Sequence, residues 1–188
     1  MKHSRWFPSL LAGLGLAAVA APGFAATHVR ADLKSYEEVP AISVPPARGH
    51  FEGTLNGAKT ELTYTLTLTN FEGTWTQSHI HIAQKGVNGG ITIFLCSNLG
   101  NGPVGTQACP GPGSTVTISG TITAANVLAV NAQGVPAGSL SEVIEAMRND
   151  AAYVNAHSEA FPGGEIRGQI RLSGGGGGNS TAENATEP

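Results

Sequence analysis

Apolar and polar residues alternate most strictly over residues 60–70, TELTYTLTLTN. Leu62, Tyr64, Leu66 and Leu68 fall on one side, and Thr63, Thr65, Thr67 and Thr69 on the other. A period of two sends successive side chains to opposite faces of a strand, so this segment predicts a half-buried strand with a threonine-lined outer face. GHFEGTLNG (49–57) precedes it and pairs with it through the turn at Asn56-Gly57. WTQSHIHIA (75–83) and GITIFLC (90–96) flank the turn QKGVNGG, and STVTISGTIT (114–123) sets Val116, Ile118 and Ile122 against threonines. AAYVNAHS (151–158) and GEIRGQIRL (164–172) form another pair across EAFPGG, and THVRADLKSYEEVP (27–40) reads as an edge strand ended by Pro40. Many short strands separated by turn residues predict an all-β fold, an antiparallel sandwich or barrel. One segment keeps a different period. SLSEVIEAMRND places Leu140, Val143, Ile144 and Met147 at i, i+3, i+4 and i+7, and Ser139 with Glu142 has the spacing of a capping box. It predicts one short amphipathic helix covering an end or a face of the strands.

The two ends of the chain lack such patterns. Residues 1–25 carry Lys2 and Arg5, then a short run of Leu, Ala, Gly and Val, then Gly23 and Ala25 before a cut after Ala25. This is the layout of a secretory signal peptide, and the run is too short and too interrupted by Pro22 to serve as a membrane anchor. The protein is therefore expected to be secreted or periplasmic, with no membrane span after cleavage. Residues 174–188, GGGGGNSTAENATEP, have nothing to bury and are expected to form a flexible acidic tail. One domain, 27–173, is expected between them. The chain has 10 basic and 13 acidic residues; loss of Lys2 and Arg5 leaves 8 and 13, a formal charge of −5. Without a basic patch, nucleic acid and anionic membranes are poor partners. Cys96 and Cys109 are the two cysteines. In an exported chain they predict a disulfide rather than thiolate metal ligation, worth roughly 3 kcal/mol for a loop of this length.

Three stretches in fixed order, EEVPAISVPPARGHFEGTL, SHIHIAQKGVNGG and AYVNAHSEAFPGGEIRGQI, resemble the CHRD domain of chordin and of many bacterial secreted proteins. The resemblance runs from about Ala31 to Leu172 and is most specific in the closing Y-V-N-x-H…P-G-G-E-I-R-G-Q-I. It implies an extracellular β-rich module with no established reaction; the strand pattern itself predicts an antiparallel sandwich or barrel of immunoglobulin-like or superoxide-dismutase-like type. The growth-factor contacts of chordin lie largely in cysteine-rich modules that are absent here, so no ligand transfers. The expected partner is an extracellular or envelope protein or ligand. The cysteine-bearing segment 96–113 reads as an insertion relative to the plainer family pattern.

Candidate chemistry gathers on the histidines. His79 and His81 are two apart on one strand and leave the same face; Tyr153, Asn155 and His157 share a face of another. If the strands are neighbours, three imidazoles converge into a donor set suited to copper or zinc. Glu165 and Glu159 are candidates for a fourth ligand or for orienting an imidazole. An alternative stays open, in which the histidines satisfy backbone carbonyls within a structural polar cluster of Asn155, Glu165 and Arg167. Glu37 and Glu38 point opposite ways and make a poor acid–base pair, and Glu38 reads as structural or part of a rim. No nucleophile elbow, P-loop or dinucleotide fingerprint is present. The H-x-H strand with a later His also resembles the copper–zinc superoxide dismutases, which need about twice as many His ligands and a bridging Asp. A non-enzymatic module is therefore expected first, with a metalloenzyme or a metal carrier as alternatives.

Overall fold

The computed structural model describes residues 26–43 and 47–174. The expected signal peptide (1–25) and the tail beyond Gly174 lie outside the described residues. Nine strands form: β1 (Thr27–Lys34), β2 (Arg48–Leu55), β3 (Glu61–Thr69), β4 (Trp75–Ile82), β5 (Gly90–Ser97), β6 (Thr115–Thr123), β7 (Ala152–Ser158), β8 (Ile166–Gln169) and β9 (Arg171–Ser173). They make one antiparallel sheet in the order β5-β4-β7-β8-β1-β2-β3-β6, with β9 also on β1. The sheet curls into a nearly closed barrel, so of the two expected architectures the barrel is realised.

The inner face is the apolar half of each alternation. Val29, Ala31 and Leu33 of β1, Leu62, Leu66 and Leu68 of β3, Ile80 of β4, and Val154 and Ala156 of β7 are all fully buried there. Helix α1 (Leu140–Arg148) adds Leu140, Val143, Ile144 and Met147 to the same core, as its period predicts. The capping box does not form: Ser139 makes no side-chain cap, and Ser141 donates its hydroxyl to Glu142 instead.

Two sequence expectations about strands change. β1 is an interior strand, held by β2 along its whole length and by β8 and β9 on the other side. Pro40 lies beyond a single 3-10 turn at Ser35–Glu37 and does not end the strand. The segment 164–172 is two strands: β8 pairs with β7 up to Gln169, Ile170 still donates its N–H to the Ala152 carbonyl, and from Arg171 the chain crosses to pair with β1. Gly168 makes this crossing possible, since a Cβ there would run into the Asp32 backbone.

Strands β5 and β6 are the two ends of the sheet and are not paired with each other. The connection 98–114 spans them. Cys96 and Cys109 are joined, as expected. Between them Gln107 donates its amide to Leu95 O on β5 (2.9 Å) and Ser119 O on β6 (3.3 Å), and to the Tyr64 hydroxyl (2.9 Å). The Tyr64 hydroxyl in turn donates to Leu95 O. The segment that reads as an insertion is thus the tie across the open seam.

Candidate metal centre

The register of β4, β7 and β8 decides which side chains meet. Across β4–β7, Gln77 lies opposite His157, His79 opposite Asn155, and His81 opposite Tyr153; across β7–β8, Asn155 lies opposite Arg167. The residues between them, Ile80, Val154, Ala156 and Ile166, fill the core, so the histidines stand on the outer face of the barrel wall. On the other side of β4, β5 carries two extra residues, Leu95 opposite the Ser78/His79 step and Thr92 opposite the Ile80/His81 step. Bulges of this kind bend a strand and re-aim its neighbours' side chains. Here they bring Phe94 edge-on to His79, with ring centroids 4.4 Å apart.

This outer face is nevertheless dry. His79 is 1 % exposed and His81 and His157 are each 7 % exposed. One ring nitrogen from each lies within 4.8 Å of those of the other two. The surrounding backbone selects which nitrogens these are. His81 Nδ1–H donates to Gly89 O (2.9 Å) and His157 Nδ1–H donates to Pro162 O (2.9 Å). Each bond leaves the Nε2 of a neutral ring as a lone pair. His157 Nε2 and both nitrogens of His79 are buried without a hydrogen-bond partner. His81 Nε2 lies 3.1 Å from the Asn155 side-chain oxygen. With Nδ1 already donating, that contact sets two acceptors face to face. It becomes favourable when the Asn155 amide turns its NH2 to the ring, or when a cation stands beside both.

Burial also fixes the charge. Burial first, and then the neighbouring imidazoles, push His79 down to about 3; burial likewise takes His81 down to about 4 and lowers His157. At neutral pH the three rings are uncharged and offer lone pairs, the state a metal ion requires.

The other expected residues take supporting places. Arg167 is 2 % exposed; it donates to Val87 O (2.8 Å), Gln84 O (3.3 Å) and Asn88 Oδ1 (3.3 Å), so it fastens the 83–89 loop over the face. Its guanidinium lies 3.4 Å from the centre of the Tyr153 ring, and that ring stacks on His81 at 4.6 Å and 3°. Glu165 is buried but stands apart from the gathered donors: its Oε1 accepts the Glu72 N–H at 2.8 Å. Burial holds its carboxyl above the ordinary carboxylate range. Glu159 is exposed at the turn. Glu38 is buried, and burial raises it to about 7 despite the opposing Arg167 charge. A Cβ at Gly164, where φ is +126°, would sit 2.6 Å from the Glu38 carboxylate, which accounts for glycine in the P-G-G turn. His28 and His50 lie elsewhere, with His50 contacting Asp32 at 3.0 Å. Phe94 and the Tyr153 stack were missed from sequence. Tyr153 shares the face of His157 by simple alternation, whereas Phe94 reaches His79 through bulges that leave no pattern in the sequence.

No curated protein and no solved structure matches the chain. The family model described as CHRD domain matches residues 29–170, well over half of the chain and including all three histidines, the disulfide segment and the helix. The chain belongs to the CHRD domain family.

Proposed function

We propose that this protein is an exported interaction module whose CHRD domain holds a copper or zinc ion through His79, His81 and His157. The observation that carries this reading is three imidazoles gathered in a dry site: His157 Nε2 and both nitrogens of His79 have no partner, His81 Nε2 faces only the Asn155 side-chain oxygen, and the Nδ1 atoms of His81 and His157 are pinned by Gly89 O and Pro162 O. A buried polar atom without a partner costs about 1–3 kcal/mol, and a native fold that keeps several in one place calls for an occupant. On His81 and His157, the pairing of an inner lone pair with an outer N–H···O=C bond is the arrangement by which proteins orient metal-binding imidazoles. A purely structural cluster would instead spend both nitrogens of each ring on protein partners.

Binding without turnover fits this centre better than an enzyme does. Among the described residues, the gathered donors are three, all buried, and neither Glu165 nor an Asp stands with them as a bridge to a second ion. The partner is an extracellular or envelope protein or ligand. Metal analysis of the mature protein purified from its own compartment, beside His79→Ala, tests the reading. The expected result is about one equivalent of copper or zinc in the wild type and a small fraction of that in the variant. Equal content in both would remove it.

A further inference from the structure

We infer that the three-histidine centre selects the monovalent cuprous ion, Cu(I), over the divalent ions Cu(II) and Zn(II). This rests on the metal-binding reading above and deepens it. Three features of the site lead there, and each depends on a different aspect of the ion.

The first is charge. The cost of taking an ion out of water rises with the square of its charge, so a dication pays about four times what a monocation pays. Divalent sites usually offset this with carboxylate or thiolate ligands. Here all three gathered donors are neutral imidazoles in a site that is nearly closed to water. The nearby buried carboxyls do not stand among the gathered donors: Glu165 Oε1 holds the Glu72 N–H, and Glu165 Oε2 and Glu38 Oε1 are buried without a partner elsewhere.

The second is the neighbouring fixed cation. β7 lies between β4 and β8, so Tyr153 has His81 stacked toward one neighbour and the Arg167 guanidinium over its ring toward the other. A positive charge one aromatic ring behind a ligand opposes an incoming dication about twice as strongly as a monocation.

The third is coordination. Zinc sites are almost always four-coordinate, and the described residues supply three donors. The Phe94 ring packs edge-to-face against His79, with centroids 4.4 Å apart, and adds an apolar wall rather than a fourth donor. Cu(I) has a filled d shell and accepts three ligands without a fourth. Its preference for soft, unsaturated donors is also met better by imidazole nitrogen than by water.

Cu(II) outranks Zn(II) at almost any nitrogen site, so the order of those two decides nothing. The telling comparison is between the two copper charges and between Cu(I) and Zn(II). The mature protein is titrated anaerobically with Cu(I) against bicinchoninate, and with Zn(II) against pyridylazoresorcinol. The expected result is one Cu(I) bound about 1,000-fold more tightly than Zn(II), with a bound copper couple more positive than that of the aqueous ion. Asn155→Asp places a carboxylate beside His81 Nε2 and is expected to narrow the Cu(I) preference about tenfold. Phe94→Glu, at a half-buried wall position, is expected to act in the same direction and serves if the first variant does not fold. Zn(II) or Cu(II) held as tightly as Cu(I) would overturn the cuprous assignment and leave the metal centre standing. Failure to bind an ion of either charge would remove both.

Discussion

Two walls of one barrel obey the same alternation and end in opposite environments. On the β3–β6 wall the outward residues are mostly threonines that pair across strands towards solvent, Thr65 with Ser119 at 3.1 Å and Thr67 with Thr117 at 3.0 Å. On the β4–β7–β8 wall the outward face carries His79, His81, Tyr153, Asn155, His157 and Arg167, all buried, with Gln77 and Gln169 half-buried at its margins. The inner faces of both walls are equally apolar, so pattern alone does not separate them. Loops do. The β4–β5 loop and the turn after β7 fold back over the second wall, and their carbonyls at Gln84, Val87, Gly89 and Pro162 receive N–H donors from Arg167, His81 and His157. The residues that are covered are also the residues that hold the cover down. The comparison shows how a sheet fold gains a dry polar site without opening its core.

The largest effect expected from breaking this contrast is at the fastening residue. Arg167→Ala strips donors from two loop carbonyls and uncovers Tyr153, and should cost about 3 kcal/mol in denaturant unfolding. Thr67→Ala on the other wall should cost far less. The next effect is in acid. In the metal-free protein the unfolded chain takes up protons on these histidines near pH 6.5, whereas His79 and His81 are held at about 3 and about 4 in the folded state. The unfolded state binds more protons between those limits, so stability falls as pH falls from 6.5, by up to about 1.4 kcal/mol per pH unit for each imidazole. His79→Leu should flatten that limb by about one such slope in pH-dependent unfolding, and substitutions on the threonine wall should leave it unchanged. At neutral pH the same variant should stabilise the metal-free protein by about 1 kcal/mol, because it removes two unpartnered buried nitrogens while abolishing metal uptake. The smallest effect sharpens the other side: Thr67→Val, on the solvent face, should stay within about 0.5 kcal/mol of wild type.

The strands and the His79–His81–His157 convergence were legible because both follow from period two, and because the H-x-H and Y-V-N-x-H segments fall on adjacent strands of one sheet. The amphipathic helix was legible for the same kind of reason. Backbone carbonyls are not. Nothing in the residue types at Gly89 or Pro162 announces an acceptor aimed at an imidazole, so the tautomers could not be read. Glu165 reads as a possible fourth ligand from its nearness in sequence, but it does not stand among the gathered donors: one carboxylate oxygen accepts the Glu72 backbone N–H, a pairing 93 residues apart in the chain. β1 looked like an edge because Pro40 follows it; a strand's neighbours depend on what the rest of the chain brings to its sides. Family membership was visible in the P-G-G-E-I-R-G-Q-I run, whose glycines serve the crossing at Asp32 and the turn over Glu38.

The Gln107 amide has a consequence for where this chain can mature safely. It stands in for a whole ladder between two strand edges, and it is positioned by a segment anchored through Cys96 and Cys109. In a reducing cytosol that anchor is missing, and β5 and β6 are left as exposed templates for intermolecular strand addition. Closing the disulfide then protects against self-association as much as it stabilises the fold.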